Sequence, residues 1–385
     1  MKSPFFLPAI VGIVTATQVP LGQIPQQPFW INDGQDPVFV AETPISGLNT
    51  FASIPHAECL GAQSDDSGQA RYDIAILGAP HDITVTGRPG ARYGPSGIRT
   101  GSNRKTRGYS FYTGRDPFES WAKVVDCGDA PMTWLDSRQA IKSLDWAHRV
   151  VSGRKAASTD QSVTPRILML GGDHTITLSA LRSVHKHWGQ VSVIHFDSHI
   201  DTWEPRVIGG NVTEYSALHH GTFLHFAHEE HLILNSSIHA GLRAPLARPK
   251  GDMRHDAHCG FGAISAREID KTGIQGVIDA IKRRVGDTKV YITVDIDVLD
   301  PAFAPATGTP EPGGWSSREL IAILEGLEGL EVVGADVVEV APAYDDSGEA
   351  TVLAAAEVAR TLLDLMVVKP VKSLDDQHQS DELKK

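Results

Sequence analysis

The sequence predicts an α/β fold, a single three-layer α/β/α domain built on a mostly parallel sheet, and three observations carry that prediction. Five apolar runs, YDIAILGAP (72–80), RILMLGG (166–172), VSVIHFD (191–197), VYITVDIDVLD (290–300) and LEVVGADVVEV (330–340), have the length of strands buried on both faces. The intervals between them read as helices. With 385 residues, 41% hydrophobic and 21% charged, the chain can bury one large core, and no internal repeat divides it.

The helices are expected from about Ser137 to Val151, after His174, behind the capping boxes Ser265-x-x-Glu268 and Ser316-x-x-Glu319, and through TVLAAAEVARTLLDLM (351–366). Such strand–helix alternation means right-handed βαβ units, which bring the carboxyl ends of all strands to one edge. That edge is where the chemistry is expected.

The ends of the chain read differently. Residues 1–18 combine one Lys, an apolar run from Phe5 to Val14 and the small residues Thr15, Ala16 and Thr17, the layout of a signal peptide. The run is too short for a membrane span, so a secretory location is expected, with a cytoplasmic one as the alternative. Residues 19–70, rich in Pro, Gln and Ser, read as an N-terminal arm with little regular structure, 71–368 as the domain, and 369–385 as a disordered tail. Cys59, Cys127 and Cys259 allow at most one internal disulfide and exclude a zinc ribbon. The net charge of -12 and the absence of a basic stripe argue against a nucleic-acid partner.

Ionisable residues collect at the strand ends. RILML runs into Gly171-Gly172-Asp173-His174, VSVIHF into Asp197-Ser-His199-Ile-Asp201, VYITV into Asp295-Ile-Asp297, and GADVV ends at Glu339. Alternation places Asp197, His199 and Asp201 on one face. Each piece has a plainer reading, since Asp173 or Asp295 can cap a short helix. Together they are harder to explain, because unpaired carboxylates at one edge repel and raise one another's pKa. The four Asp and two His carry a formal charge of -4, which two divalent ions balance. Bridging carboxylates can hold such a pair about 3.5–4 Å apart. Oxygen-rich shells with one imidazole each suit Mn²⁺ better than zinc or magnesium.

These residues resemble the ureohydrolases, the arginase and agmatinase family. GGDHTITLSAL, FDSHIDTW and TVDIDVLDPAFAPATGTPEPGG are similar to its three signature segments, while GAPHDITVTGRPGARYGPSGIR and VVEVAPAYDDSGEATVLAAAEVA resemble the agmatinase branch. The continuation HGTFLHFAHEE is similar to fungal members, and the likeness spans about Arg71 to Val368. It implies an arginase-like fold, a trimeric or hexameric homo-oligomer, and two Mn²⁺ held by His174, Asp197, His199, Asp201, Asp295 and Asp297. Ser198 and Ile200 depart from the usual motif, but at non-ligand positions. The resemblance also implies that His220, rather than His219, shuttles protons and that Glu339 grips a guanidinium.

The chemistry suits a guanidino substrate. A guanidinium is a poor electrophile, so the site must supply hydroxide and fixed orientation. Glu339 can orient the planar fork by a bidentate pair, Asp201 can pass a proton to the leaving amine, and His220 can exchange protons with solvent. The expected products are urea and an amine, putrescine if the substrate is agmatine, which places the enzyme in polyamine metabolism. The rim segment EPRVIGGNVTEYSALH holds Glu204 and Glu214, which favour the ammonium of agmatine, and Arg206, which with Arg243 would favour 4-guanidinobutyrate. The segment after DSHID lacks the Asn that arginases use, which argues against arginine. A catalytically silent binding protein of the same fold is the remaining alternative, disfavoured because all eight site residues are present. His225, His228 and His231 lack a carboxylate shell and read as a helix face, and Arg88 and Arg92 as loop scaffolding.

Overall fold

The computed structural model describes residues 29–31, 38–40, 49–61, 71–104, 108–208, 213 and 216–377. Residues 1–18, where the signal peptide is expected, lie outside the described residues. In the arm, β1 (Phe29–Ile31) and β2 (Val38–Val40) form an antiparallel pair. Further along, Phe51 and Cys59 are buried in the body of the domain, so the arm has more structure than its composition suggested.

The main sheet has eight strands: β3 (Ile74–Ala79), β4 (Val124–Asp129), β5 (Arg166–Gly171), β6 (Ser192–Phe196), β7 (Ser237–Leu242), β8 (Phe261–Ser265), β9 (Lys289–Asp295) and β10 (Glu331–Val338). Their order is β4-β3-β5-β10-β9-β6-β7-β8, and every pairing is parallel. All five expected runs are strands. The three further strands escaped the sequence reading because Asp, Cys, His and Gly interrupt their apolar residues.

Helices cover both faces, completing the three layers. On one side pack α1 (Gly94–Gly101), α6 (Glu268–Val285), α7 (Ser317–Gly326) and α8 (Ala350–Val368). On the other lie α2 (Ser137–Ser152), α3 (Thr177–Trp188) and α4 (Phe223–Glu229), with α5 (Pro249–His258) beside β8. Strand alternation divides the core accordingly: Ile74 and Ile76 of β3 join the α8 side, Ala75 and Leu77 the α2 side.

Local signals were met unevenly. The Ser316–Glu319 capping box forms at α7, with Ser316 accepting from the Glu319 amide and Glu319 from Ser316. The expected box at Ser265 does not form, because Ser265 is the last residue of β8 and pairs with Leu242, leaving α6 to begin at Glu268 without a side-chain cap. The segment after 368, expected to be disordered, is docked as far as Gln377: Val371 is buried, and Asp376 accepts from Ser162, the Val163 amide and Ser373. Cys59 and Cys127 form a disulfide linking the arm to β4, and Cys259 stays a free buried thiol.

Gly172 shows why the turn after β5 is so restricted. Its amide donates to Ala79 O, its carbonyl accepts from the Glu339 amide, and the Asp173 amide donates to His81 O, so the ends of β3, β5 and β10 are joined through this turn. A Cβ on Gly172 would lie 2.0 Å from His81 O, a backbone atom with no room to yield. Gly172→Ala is therefore expected to lower the unfolding free energy by about 2–4 kcal/mol. Urea denaturation measures this, and a variant as stable as the wild type would contradict the close approach.

Candidate metal centre

The strands that carry the ionisable residues, β5, β10, β9 and β6, are four consecutive neighbours at the middle of the sheet. Their carboxyl ends therefore converge, and they bring His174, Asp197, His199, Asp201, Asp295 and Asp297 together. His174 Nδ1 lies 3.1 Å from Asp197 Oδ2, 3.2 Å from Asp201 Oδ2 and 3.4 Å from Asp295 Oδ2. His199 Nδ1 lies 3.2 Å from Asp197 Oδ1 and 3.1 Å from Asp297 Oδ2. The two groups share Asp197, one carboxylate oxygen facing each. That is the arrangement a bridging ligand needs.

The plainer readings of these turns also hold, without excluding the first. Asp173 accepts from the Thr175 amide and caps the short helix at His174, while the Asp297 amide donates to Asp295 Oδ1. The backbone uses of Asp173 and Asp295 Oδ1 leave His174 and Asp295 Oδ2 directed into the cluster. Asp201 and Glu339 both have left-handed backbones, at φ 49° and 62°. Such conformations persist only where the surroundings enforce them, and both sit where a strand end must turn a carboxylate inward.

Buried partners fix the ring orientations. His174 Nε2 is 2.7 Å from Thr293 Oγ1, which donates to Asp336 Oδ1 at 2.5 Å, so Thr293 accepts from His174 and leaves Nδ1 as the lone-pair side. Asp336 also accepts from Tyr291 Oη and Thr177 Oγ1. Asp297 Oδ1 accepts from Ser198 N and Oγ, which gives the unusual serine of this motif a task. His174 Nδ1, Asp197 Oδ2 and Glu339 Oε2 are buried without a hydrogen bond among the described residues. Orphaned buried atoms of this kind are costly unless a cation answers them, and a histidine–carboxylate donor set fits a divalent one.

The ionisation behaviour has the same origin. Burial, then the charge of Asp197, pushes Asp201 up to about 6, and burial together with Asp297 and Asp197 raises Asp295 well above the carboxylate range. Asp197 is buried too, but His195, His174 and His199 outweigh that and hold it well below the range. Burial opposes protonation of His174 and His199, yet their carboxylate neighbours prevail and raise both well above the imidazole range, so without a cation His174 Nδ1 is protonated and its lone pair is freed only when an ion replaces that proton.

The sequence reading missed His195, whose position inside a strand suggested core packing. Its Nε2 lies 3.2 Å from Asp197 Oδ2, and its Nδ1 faces His239 Nδ1 at 2.8 Å. His239 Nε2 in turn donates to Asp256 Oδ1, which also accepts from Thr202. Thr86 was missed as well. Its amide donates to His220 Nε2 at 3.0 Å, and its hydroxyl lies 2.7 Å from the same atom. His220 Nδ1 donates to Glu339 Oε1 at 3.0 Å. Burial opposes charging His220, but Glu339 outweighs it and lifts the ring to about 9. The Thr86 amide, pointing its N–H at Nε2, works against a second ring proton, so in this geometry the proton sits on Nδ1.

Glu339 Oε1 is already taken twice, by the His174 amide at 2.8 Å and by His220. Only Oε2 is free to grip a ligand, so the bidentate pair expected from the sequence reduces to one oxygen. Above the cluster lies a cavity of about 400 Å³, lined by His199, Asp201, His220 and Asp295 and by the apolar Trp203, Ile208, Pro245 and Leu246. Its described lining contains no Lys or Arg. Arg243 is spent on the backbone carbonyls of Gly241, Asp297, Val298, Leu299 and Glu311, and Arg206 is exposed. Glu214 lies outside the described residues, and Glu204 turns to Arg248. Arg92 pairs with Asp82, and Arg88 stacks on Tyr344, in keeping with scaffolding. No helix among the described residues is long and apolar enough to cross a membrane.

A model of the arginase family matches residues 72–364. The chain is 48% identical to "Putative agmatinase 1" of Schizosaccharomyces pombe, over 88% of this chain and 87% of that one. It is 38% identical to the agmatinase of Escherichia coli, over 77% of this chain and 88% of the relative. Among solved structures, proclavaminate amidinohydrolase from Streptomyces clavuligerus superposes with a TM-score of 0.71 at 34% identity, covering 84% of this chain and 98% of its own.

The raised pKa of Asp201 gives a pH dependence. Its ordinary value is 3.8 and its folded value about 6, so between these the metal-free folded protein holds a proton that the unfolded chain has released. Stability from this group is full below the lower value and is lost as pH rises through the upper one. A bound cation removes that loss, so the gain in Tm on adding Mn²⁺ is expected to grow from about pH 4 to about pH 7. Thermal melts with chelator and with Mn²⁺ test this, and a gain that shrinks with rising pH would contradict it.

Proposed function

This chain belongs to the arginase family, and from that premise we propose that it hydrolyses agmatine to urea and putrescine at a binuclear manganese centre. The family is one of metal-dependent hydrolases, and the observation that supports a pair of ions is the sharing of Asp197 between two ligand groups. His174, Asp197, Asp201 and Asp295 would hold one ion, with Asp197, His199 and Asp297 at the other. Bound there, the ions would supply hydroxide near neutral pH by acidifying a shared water.

The remaining steps belong to the side chains. Glu339 Oε2, buried and without a hydrogen bond among the described residues, would accept one N–H of the guanidinium and hold that end of the substrate near the cluster. Asp201 lines the cavity and is the carboxylate best placed to carry a proton to the leaving amine. His220 is the residue placed to exchange protons with solvent, once its Nε2 is released from the Thr86 amide and hydroxyl that now occupy it. Trp203 lines the cavity beside the apolar Ile208, Pro245 and Leu246, which suits the methylene chain of the substrate. With Arg243 turned away and no described Lys or Arg in the lining, the carboxylate tail of 4-guanidinobutyrate has no guanidinium or ammonium to meet there, which favours agmatine.

Further readings follow from the chain as a whole. We infer export through the secretory pathway, supported by the layout of residues 1–18 and by the Cys59–Cys127 disulfide, since such bonds persist in oxidising compartments. A homo-oligomer, trimer or hexamer, is proposed on the family resemblance.

The substrate test compares kcat/KM for agmatine, 4-guanidinobutyrate and arginine at saturating Mn²⁺. Agmatine is expected to lead, and Glu339→Gln to depress every substrate alike by about 2–4 kcal/mol of transition-state stabilisation. A guanidinobutyrate value tenfold above agmatine, about 1.4 kcal/mol, would overturn the substrate but keep the reaction. Export is checked by N-terminal sequencing of protein from its native host. Cleavage near residue 18 is expected, and an intact Met1 in the cytosol refutes it.

A further inference from the structure

Away from the strand ends, α4 and α5 bring together three donor atoms that the sequence keeps apart. His225 lies on α4, whereas His255 and Cys259, four residues apart, share one face at the end of α5. His225 Nδ1 is 3.2 Å from His255 Nε2, and His255 Nε2 is 3.6 Å from Cys259 Sγ. All three atoms lie within 4.8 Å of one another. The helix face inferred from the spacing of His225, His228 and His231 is thus incomplete: α4 ends at Glu229, before His231, and the partners of His225 come from another helix.

The spacing is informative. Bonds of about 2.0–2.1 Å to imidazole nitrogen and about 2.3 Å to thiolate sulfur, at tetrahedral angles, set ligand atoms about 3.3–3.6 Å apart. The two distances to His255 Nε2 agree with this, and from that agreement the geometry points to a second metal site, a Zn²⁺ site held by His225, His255 and Cys259.

Two further features suit that assignment. Burial lowers the pKa of His225, so its ring is neutral and its lone pair available. The far nitrogen of His255, Nδ1, faces Glu204 Oε1 at 3.6 Å, where metal-bound imidazoles usually find a carboxylate. Against this, burial holds the Cys259 thiol up at about 12, so zinc binding must break its S–H bond as the Zn–S bond forms, with the proton released to water, and is expected to tighten as pH rises. The donor set is soft and nitrogen-rich where the strand-end cluster is oxygen-rich, so the two sites select different ions. Zinc here would clamp α4, which starts three residues after His220, to α5, which carries Asp256.

The test uses the full chain in excess Mn²⁺, with Zn²⁺ as the ligand and Co²⁺ as its spectroscopic substitute. Cys59 and Cys127 are bonded to each other, so Cys259 is the sole thiol and any near-ultraviolet thiolate-to-cobalt band reports this site. The wild type is expected to show the band, to retain one Zn²⁺ per chain through gel filtration, and to melt higher with it. Cys259→Ser should lose the band, and it and the half-exposed His225→Gln should each weaken Zn²⁺ binding by more than about tenfold, with Mn²⁺ binding unchanged. A wild type without the band, or variants that bind Zn²⁺ as tightly as the wild type, would overturn the site. Because no readout involves urea release, failure here leaves the proposed hydrolysis untouched.

Discussion

The constraint on which this structure depends is electrostatic: four carboxylates and two imidazoles are buried within a few ångströms of one another at the mouth of a parallel sheet. Left to themselves, such carboxylates repel, and the raised pKa values of Asp201 and Asp295 show the strain. Much of the surrounding architecture can be understood as holding this arrangement in place until cations answer it. Four adjacent strands supply the groups, so their relative positions are set by backbone hydrogen bonds rather than by loops. Asp201 and Glu339 accept unfavourable backbone angles for the same end.

Behind the cluster stands a buried polar layer that an apolar core would not need. Asp336 collects hydrogen bonds from Thr177, Tyr291 and Thr293, and Thr293 turns the lone pair of His174 towards the carboxylates. On the other flank, Asp256 and His239 hold His195 against Asp197. Buried networks of this kind are tolerable only when satisfied. Four buried atoms without a hydrogen bond among the described residues, His174 Nδ1, His195 Nε2, Asp197 Oδ2 and Glu339 Oε2, lie at or beside the cluster, where a ligand would meet them.

Much of this was legible in the sequence, for a physical reason. Residues at the end of a doubly buried strand have no solvent-facing alternative, so His174, Asp197, Asp295 and Glu339 could be placed on one edge from apolar runs alone. What escaped was whatever depends on contact between distant segments. β4, β7 and β8 hide because their polar residues are satisfied by neighbours, His239 by Asp256 for instance. Ser265 carried a correct local motif that strand pairing overrode. Arg243 looked like a substrate contact until its guanidinium proved to be occupied by five carbonyls. His225, His255 and Cys259 fall in two separate segments, and no spacing rule joins them.

The division of labour between strand ends and loops also explains how reaction and substrate can vary separately. Any change at Asp197 disturbs both ligand groups, and Gly172 shows that even the backbone there has no slack. The cavity walls are different. Trp203, Ile208, Pro245 and Leu246 come from connecting segments, and none of them holds a group of the cluster. Pro245 and Leu246, more exposed than the buried Trp203, can change at little cost to the fold. On the proposed function, the guanidinium end of a substrate would meet Glu339 and the strand-end cluster, whereas its tail would meet the cavity walls. A family built this way can keep one hydrolytic reaction while its members diverge in the amine they release.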